Sequence, residues 1–165
     1  MNLDRTDRRI LHLLQTEPEI TAAAIGERIG ASQATCWRRI QRFRDDGLIP
    51  DQYVVLDRKM VGLHALVFAQ VKLNSQGRAN LAAFSEAIQR FPEVQECYVL
   101  MGNVDFLLRI VATDIEAYER FFFQKLSQLP GVQEITSSMA LSEIKRTSVL
   151  PLEDHGTAGN SRRSA

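Results

Sequence analysis

Apolar residues recur at helical spacing through the first 50 positions, and the texture changes at Pro50-Asp51. Leu3, Ile10, Leu11 and Leu14 give a first helix its buried face, with Thr6 or Asp7 as its start and Pro18 just beyond its end. Ile25 and Ile29 mark a second helix, which Gly30 stops. Ser32 is placed to cap a third helix and Gly47 to end it as the C′ residue. Within the third helix Cys36, Ile40 and Phe43 repeat at i, i+4 and i+7, so they share one buried stripe. At about 100° per residue, Ala34, Arg38, Gln41 and Asp45 point away from that stripe, with Thr35 and Arg42 on its flank. Trp37 also lies off the stripe; packing within the small unit is the favoured reading for it. Two helices joined by a tight turn, the second presenting small residues and then arginines, form the pattern of a helix-turn-helix. Its second helix has the chemistry to enter a DNA major groove.

Beyond Pro50 the pattern is of strands and helices in alternation. Residues 53–57 read as a strand or extended hinge, and 60–63 as a short connector. The chain then repeats itself. Ile88-Gln-Arg-Phe-Pro-Glu-Val-Gln-Glu96 and Leu126-Ser-Gln-Leu-Pro-Gly-Val-Gln-Glu134 align at an offset of 38 residues, and Phe84, Ile88 and Phe91 align with Phe122, Leu126 and Leu129. In each copy a helix stops before a proline and a β-prone run follows, at 94–101 and 132–141. Another strand precedes each helix, at 66–73 and 105–112. The order is β-α-β-β-α-β, a ferredoxin-like arrangement made by duplicating one βαβ unit.

Two helices cover only one face of such a sheet. The runs Leu66-Val-Phe-Ala-Gln-Val, Tyr98-Val-Leu-Met and Phe106-Leu-Leu-Arg-Ile-Val do not alternate as strands wet on one side should, which predicts that the second face is buried against a partner. In the second helix Tyr118, Phe122, Leu126 and Leu129 form the core stripe with Phe121 on its edge. Phe123 lies about 100° away and would be exposed in a monomer. Self-association is expected.

The fold class is therefore α+β: a winged-helix-like helix-turn-helix over 1–50, a linker over 51–63, a βαββαβ domain over 64–152 and a disordered tail over 153–165. The chain of 165 residues has a formal net charge of zero, which argues against non-specific trapping of a polyanion by the whole protein. The distribution is more telling, because Arg38, Arg39, Arg42 and Arg44 crowd the third helix with no acid from 32 to 44. No apolar run approaches the roughly 18 residues of a membrane span, and the polar N-terminus is no secretory signal. Cys36 and Cys97 suggest neither a disulfide framework nor a metal site, and His12, His64 and His155 are scattered. A cytoplasmic protein without membrane partners is expected.

Four pieces carry a resemblance in the right order and spacing. They are Leu3-Asp-Arg-Thr-Asp-Arg-Arg-Ile-Leu11, Ser32-Gln-Ala-Thr-Cys-Trp-Arg-Arg-Ile-Gln-Arg-Phe-Arg-Asp-Asp-Gly-Leu-Ile49, Met101-Gly-Asn-Val-Asp-Phe-Leu-Leu-Arg109 and Thr136-Ser-Ser-Met-Ala-Leu141. Together they resemble the Lrp/AsnC (feast/famine) family of transcription regulators over about residues 2–152. The resemblance implies a regulator of double-stranded DNA whose C-terminal domain dimerises and assembles further, to tetramers or octamers. It also implies a small effector, usually an amino acid, bound in that domain at the contact between dimers, and no other cofactor. Met101, Gly102, Asn103 and Asp105 of the turn between the second and third strands are then the effector candidates, with Thr136 and Ser137 on the last strand. The chain departs from the family at Val104, where many members carry an aromatic residue.

On the third helix the DNA candidates are Ser32, Gln33, Ala34, Thr35, Arg38, Arg39 and Arg42. Arg38 is the candidate for a base edge, Arg39 and Arg42 for phosphates, and Gln33 and Thr35 for either. Gly102-Asn-Val-Asp105 also reads as a plain β-turn in which Asp105 bonds backbone amides. The competing function is an architectural protein that wraps DNA without ligand control. Catalysis is not expected, since no paired carboxylates, nucleophile–base pair, metal cluster or phosphate-binding glycine loop stands at a persuasive spacing.

Overall fold

The computed structural model describes residues 2–50, 54–75 and 81–152. They divide into two compact units: the described residues up to 50 together with those from Lys145 onward form the first, and Val54–Ile144 the second. Residues 145–152, expected in the βαββαβ domain, thus cluster with the helices. The expected tail over 153–165 lies outside the described residues, as does Tyr53.

The first unit contains α1 (Arg5–Thr16), α2 (Ala22–Ile29) and α3 (Gln33–Asp45). Helix α1 begins earlier than the expected Thr6 or Asp7, because Asp4 caps it. The Asp4 carboxylate accepts from the Asp7 N–H at 2.7 Å, and Asp7 accepts from the Asp4 N–H at 3.1 Å, closing a capping box. Gly30 ends α2 in the left-handed region at φ 72°, a conformation that favours glycine. Ile10, Leu11, Ile25, Cys36, Ile40 and Phe43 form the buried core, with Ile49 and Leu152 packed against it. Gly26 sits where α2 meets the turn: a Cβ there would stand 2.6 Å from the Ala31 carbonyl oxygen, so close packing of the helix on its own turn requires glycine.

The last described residues are held to α1 by a side chain that imitates a strand partner. The Gln15 amide accepts from the Leu150 N–H at 2.8 Å and donates to the Leu150 carbonyl at 3.3 Å.

In the second unit β1 (Ala65–Leu73), α4 (Leu81–Ile88), β2 (Val94–Val99), β3 (Phe106–Ala112), α5 (Ile115–Gln124) and β4 (Val132–Met139) follow the expected βαββαβ order. The sheet order is β2-β3-β1-β4, antiparallel throughout. Val67, Ala69 and Val71 of β1 and Phe106, Leu108 and Ile110 of β3 face Phe84 and Ile88 of α4 and Tyr118 and Phe121 of α5 in one core. Phe121, rather than Phe122, is buried: its ring meets that of Phe91 edge-on in the core. Phe122 only packs against the core, and Phe123 is 59 % exposed.

Val54–Asp57 forms no strand; Val54, Val55 and Leu56 lie exposed. On the open face of the sheet the pairing places Leu66, Phe68, Gln70 and Lys72 of β1 beside Leu107, Arg109 and Val111 of β3. This face mixes types more than the sequence runs suggest. Glu96 of β2 lies 3.5 Å from Arg109 and accepts a hydrogen bond from the Tyr98 hydroxyl at 2.8 Å, which makes a polar strip beside the apolar half.

Candidate nucleic-acid interface and effector turn

Ser32 starts α3 by accepting from the Thr35 N–H at 3.2 Å, and the two hydroxyls lie 2.8 Å apart. Both residues are engaged in the cap that aims the helix. From this start, Ala34, Trp37, Arg38 and Gln41 fall on one stripe opposite Cys36, Ile40 and Phe43. Gln33, Ala34 and Arg38 are exposed, and so is Trp37, at 58 %. The expectation that Trp37 packs within the unit is therefore wrong. The same 100° arithmetic that turns Ala34 and Arg38 outward also turns Trp37 outward, and that signal was legible.

The arginines separate into two classes. Arg39 bonds Asp4 and Asp7, each at 2.6 Å, and Arg42 bonds the other oxygen of Asp7 at 2.8 Å. Asp7 is 1 % exposed. A buried carboxylate needs such partners, and two guanidiniums with the Asp4 N–H supply them. The Arg39 guanidinium also holds the Asp4 carboxyl below its ordinary range, with the Asp7 N–H adding to the effect. Arg39 and Arg42, expected at phosphates, thus spend their hydrogen bonds fixing α3 to the start of α1. Arg38 has no such tie among the described residues. Asp7 is the residue that the sequence reading missed: its partners lie 32 and 35 positions away, where no periodicity points.

The effector candidates converge only in part. The turn between β2 and β3 is closed by the Leu100 N–H donating to the Asp105 carbonyl at 2.8 Å. Asp105 then joins the turn to the end of β1: its N–H donates to the Val71 carbonyl at 2.9 Å, and its carboxylate accepts from the Leu73 N–H at 2.7 Å. Gly102 has φ 151°, which side chains disfavour, and Met101 and Asn103 stand exposed beside it. Thr136 pairs with Gln70 on the open face of the sheet. Ser137 points to the other side, where its hydroxyl bonds that of Tyr118. One compact site cannot use both side chains from this strand, since neighbours alternate faces. Among the described residues no cluster of His, Cys, Asp or Glu suits a metal ion, and no helix is long and apolar enough to cross a membrane.

Two family models match the chain. Residues 3–49 match a winged helix-turn-helix DNA-binding model, and residues 66–150 match the Lrp/AsnC ligand binding domain. The transcriptional regulator AzlB of Bacillus subtilis is 34 % identical over 152 residues, 92 % of this chain and 97 % of its own length. A transcriptional regulator of Neisseria meningitidis, solved as an L-Met complex, has 34 % identity and a TM-score of 0.83, covering 92 % of this chain and 97 % of that one. An AsnC family regulator of Agrobacterium tumefaciens has 37 % identity and a TM-score of 0.82, covering 91 % and 97 %. With both units matched in order, the chain belongs to the Lrp/AsnC family of DNA-binding transcription regulators.

Proposed function

We propose that this regulator reads a pseudo-palindromic site through the outward stripe of α3 and answers to an amino acid held at the β2–β3 turn of a self-associated C-terminal unit. The observation that carries the DNA reading is the exposed Ala34–Trp37–Arg38 stripe, continued by half-buried Gln41, on a helix that Asp7 clamps from behind. Arg38 is assigned to a base edge, and Trp37 to thymine methyls or sugars at the groove wall. Ser32, Gln33, Ala34 and Thr35 approach the backbone at the helix start. Arg39 and Arg42 position the helix, and Arg42 reaches a phosphate only from its exposed side.

Binding to a selected operator tests this. Arg38→Ala is expected to weaken it by about 1–3 kcal/mol, roughly five- to 150-fold, and to relax sequence preference. Trp37 is the single tryptophan, so its emission should change on adding operator DNA. Unchanged affinity and preference in Arg38→Ala would remove the assigned readout. A steep salt slope without sequence preference would favour the wrapping alternative.

Exposed Val54, Val55, Leu56, Phe68 and Phe123 support self-association. A symmetric dimer would set half-sites about 34 Å apart, or a multiple of that. The amino-acid reading is supported by the L-Met complex of the Neisseria relative and by the exposed backbone of the turn. Met101, Gly102, Asn103 and Thr136 are assigned to the ligand, and Asp105 to the turn that presents them. Ser137 is assigned to packing against Tyr118. A thermal-shift panel of amino acids should yield a ligand whose stabilisation is reduced in Asn103→Ala, a substitution that leaves the Asp105 staple intact. If no amino acid stabilises the protein, the effector reading fails.

A further inference from the structure

The outward stripe of α3 ends on a charge of the wrong sign for DNA. On the helical wheel Ala34, Arg38 and Asp45 fall within ~40° of one another, and Asp45 stands about two turns beyond Arg38. Asp45 is exposed, and its side chain has no hydrogen bond or ion pair among the described residues. Helix stability does not ask for it. In the last turn its carboxylate opposes the negative end of the helix dipole, where Arg42 and Arg44 are the favourable charges. Nor does Asp45 neutralise Arg38, since seven residues separate the two by ~10 Å along the axis, beyond an ion pair.

The two ends of the stripe therefore act on a phosphate backbone in opposite ways. The start offers the Ser32–Thr35 cap, small Ala34, uncommitted Arg38 and the positive end of the dipole. The last turn offers Asp45 beside the carbonyl end. A helix laid flat along a groove would bring that carboxylate within a Debye length of the phosphates, ~10 Å at 0.1 M salt, whereas a helix tilted in by its first turn would not. We propose that Asp45 is a specificity-determining residue that acts by repulsion, holding the last turn of α3 off the DNA and confining readout to the turns from Gln33 to Gln41. Non-specific complexes are held by phosphates alone, so every loose, flat placement meets this repulsion. Base contact by Arg38 fixes the tilted placement, which escapes it. Repulsion of this kind raises the ratio of specific to non-specific binding rather than the affinity itself. The proposal rests on the reading of DNA by α3 given above.

Asp46 supplies the control: it is exposed on the next position, turned ~100° from the stripe. Full-length protein is compared with Asp45→Asn, Asp46→Asn and Arg38→Ala on the selected operator and on a duplex of scrambled sequence. Asp45→Asn should tighten the scrambled duplex about three- to tenfold at low ionic strength and the operator by less, so the ratio between them falls. Asp46→Asn should move that ratio less, and added salt should shrink the effect of both. Thermal unfolding of Asp45→Asn should match the parent; a lowered transition would overturn the proposal by giving the carboxylate a structural role. Loss of operator affinity with relaxed preference at one base pair would overturn it in favour of a carboxylate that accepts from a cytosine amine. Equal effects of the two aspartates, or an unchanged ratio, would overturn it as well. Arg38→Ala separates the two claims. If it weakens operator binding while Asp45→Asn changes nothing, the DNA reading stands and the repulsion does not; if neither variant moves either duplex, α3 is not the reading helix.

Discussion

Asp7→Ala should lower the thermal transition of the helical unit by roughly 10–20 °C and abolish operator binding near the new midpoint. Three losses add at one atom group. The capping box of α1 opens, Arg39 loses one of its two carboxylates, and Arg42 loses the only one that it touches in the described structure. Removing one partner of a buried pair typically costs about 3–5 kcal/mol. Here Arg39 and Arg42 are 25 % and 45 % exposed, so water re-solvates part of the abandoned charge and about 2–3 kcal/mol is the better expectation. Asp7→Asn, which keeps an acceptor but not the charge, should fall between. Unfolding followed by Trp37 emission reads the unit directly. A transition unmoved by Asp7→Ala would mean that α3 is held by its apolar stripe alone.

Phe106→Ala should do comparable damage to the other unit. Phe106 is fully buried at the start of β3, and its ring lies 4.4 Å from that of Phe84, centroid to centroid, joining the sheet to α4. Emptying such a site costs about 3–5 kcal/mol, transfer and cavity terms together. The expected result is a split: the far-UV transition of the second unit falls while the Trp37 transition stays. On the pairing proposed above, operator binding should then lose more than stability alone requires, since the C-terminal unit that would hold two recognition helices in register is lost. A half-site duplex should be bound as before. Equal loss on the half-site would show that the second unit supports the helices in some other way than by pairing them.

Most of the architecture was legible because it rests on local rules. Ser32, Gly30 and Gly47 act at helix ends through backbone chemistry that any sequence exposes, and the Cys36–Ile40–Phe43 stripe follows from helical pitch alone. The βαββαβ order was readable from the echo at 38 residues. What escaped was long-range or broke a period. The tie of Asp7 to Arg39 and Arg42 crosses more than thirty positions, and the grip of Gln15 on Leu150 crosses 135. Phe121 displaced Phe122 in the core through its ring contact with Phe91, thirty positions away, which no helical period contains. At the candidate effector turn, Gly102 was readable, whereas the role of Asp105 in holding the end of β1 needed the sheet register.

The return of residues 145–152 to α1 makes the DNA-reading unit discontinuous: its first and last pieces are separated in synthesis by the entire second unit. A nascent chain can build α1, α2 and α3 early, but Leu152 joins their core only after the whole second unit has been made. Any product shortened before Leu150, whether by a premature stop or by a protease, keeps every residue of α3 and still loses part of what steadies it. A regulator organised this way completes its helical core only after the intervening domain has been synthesised.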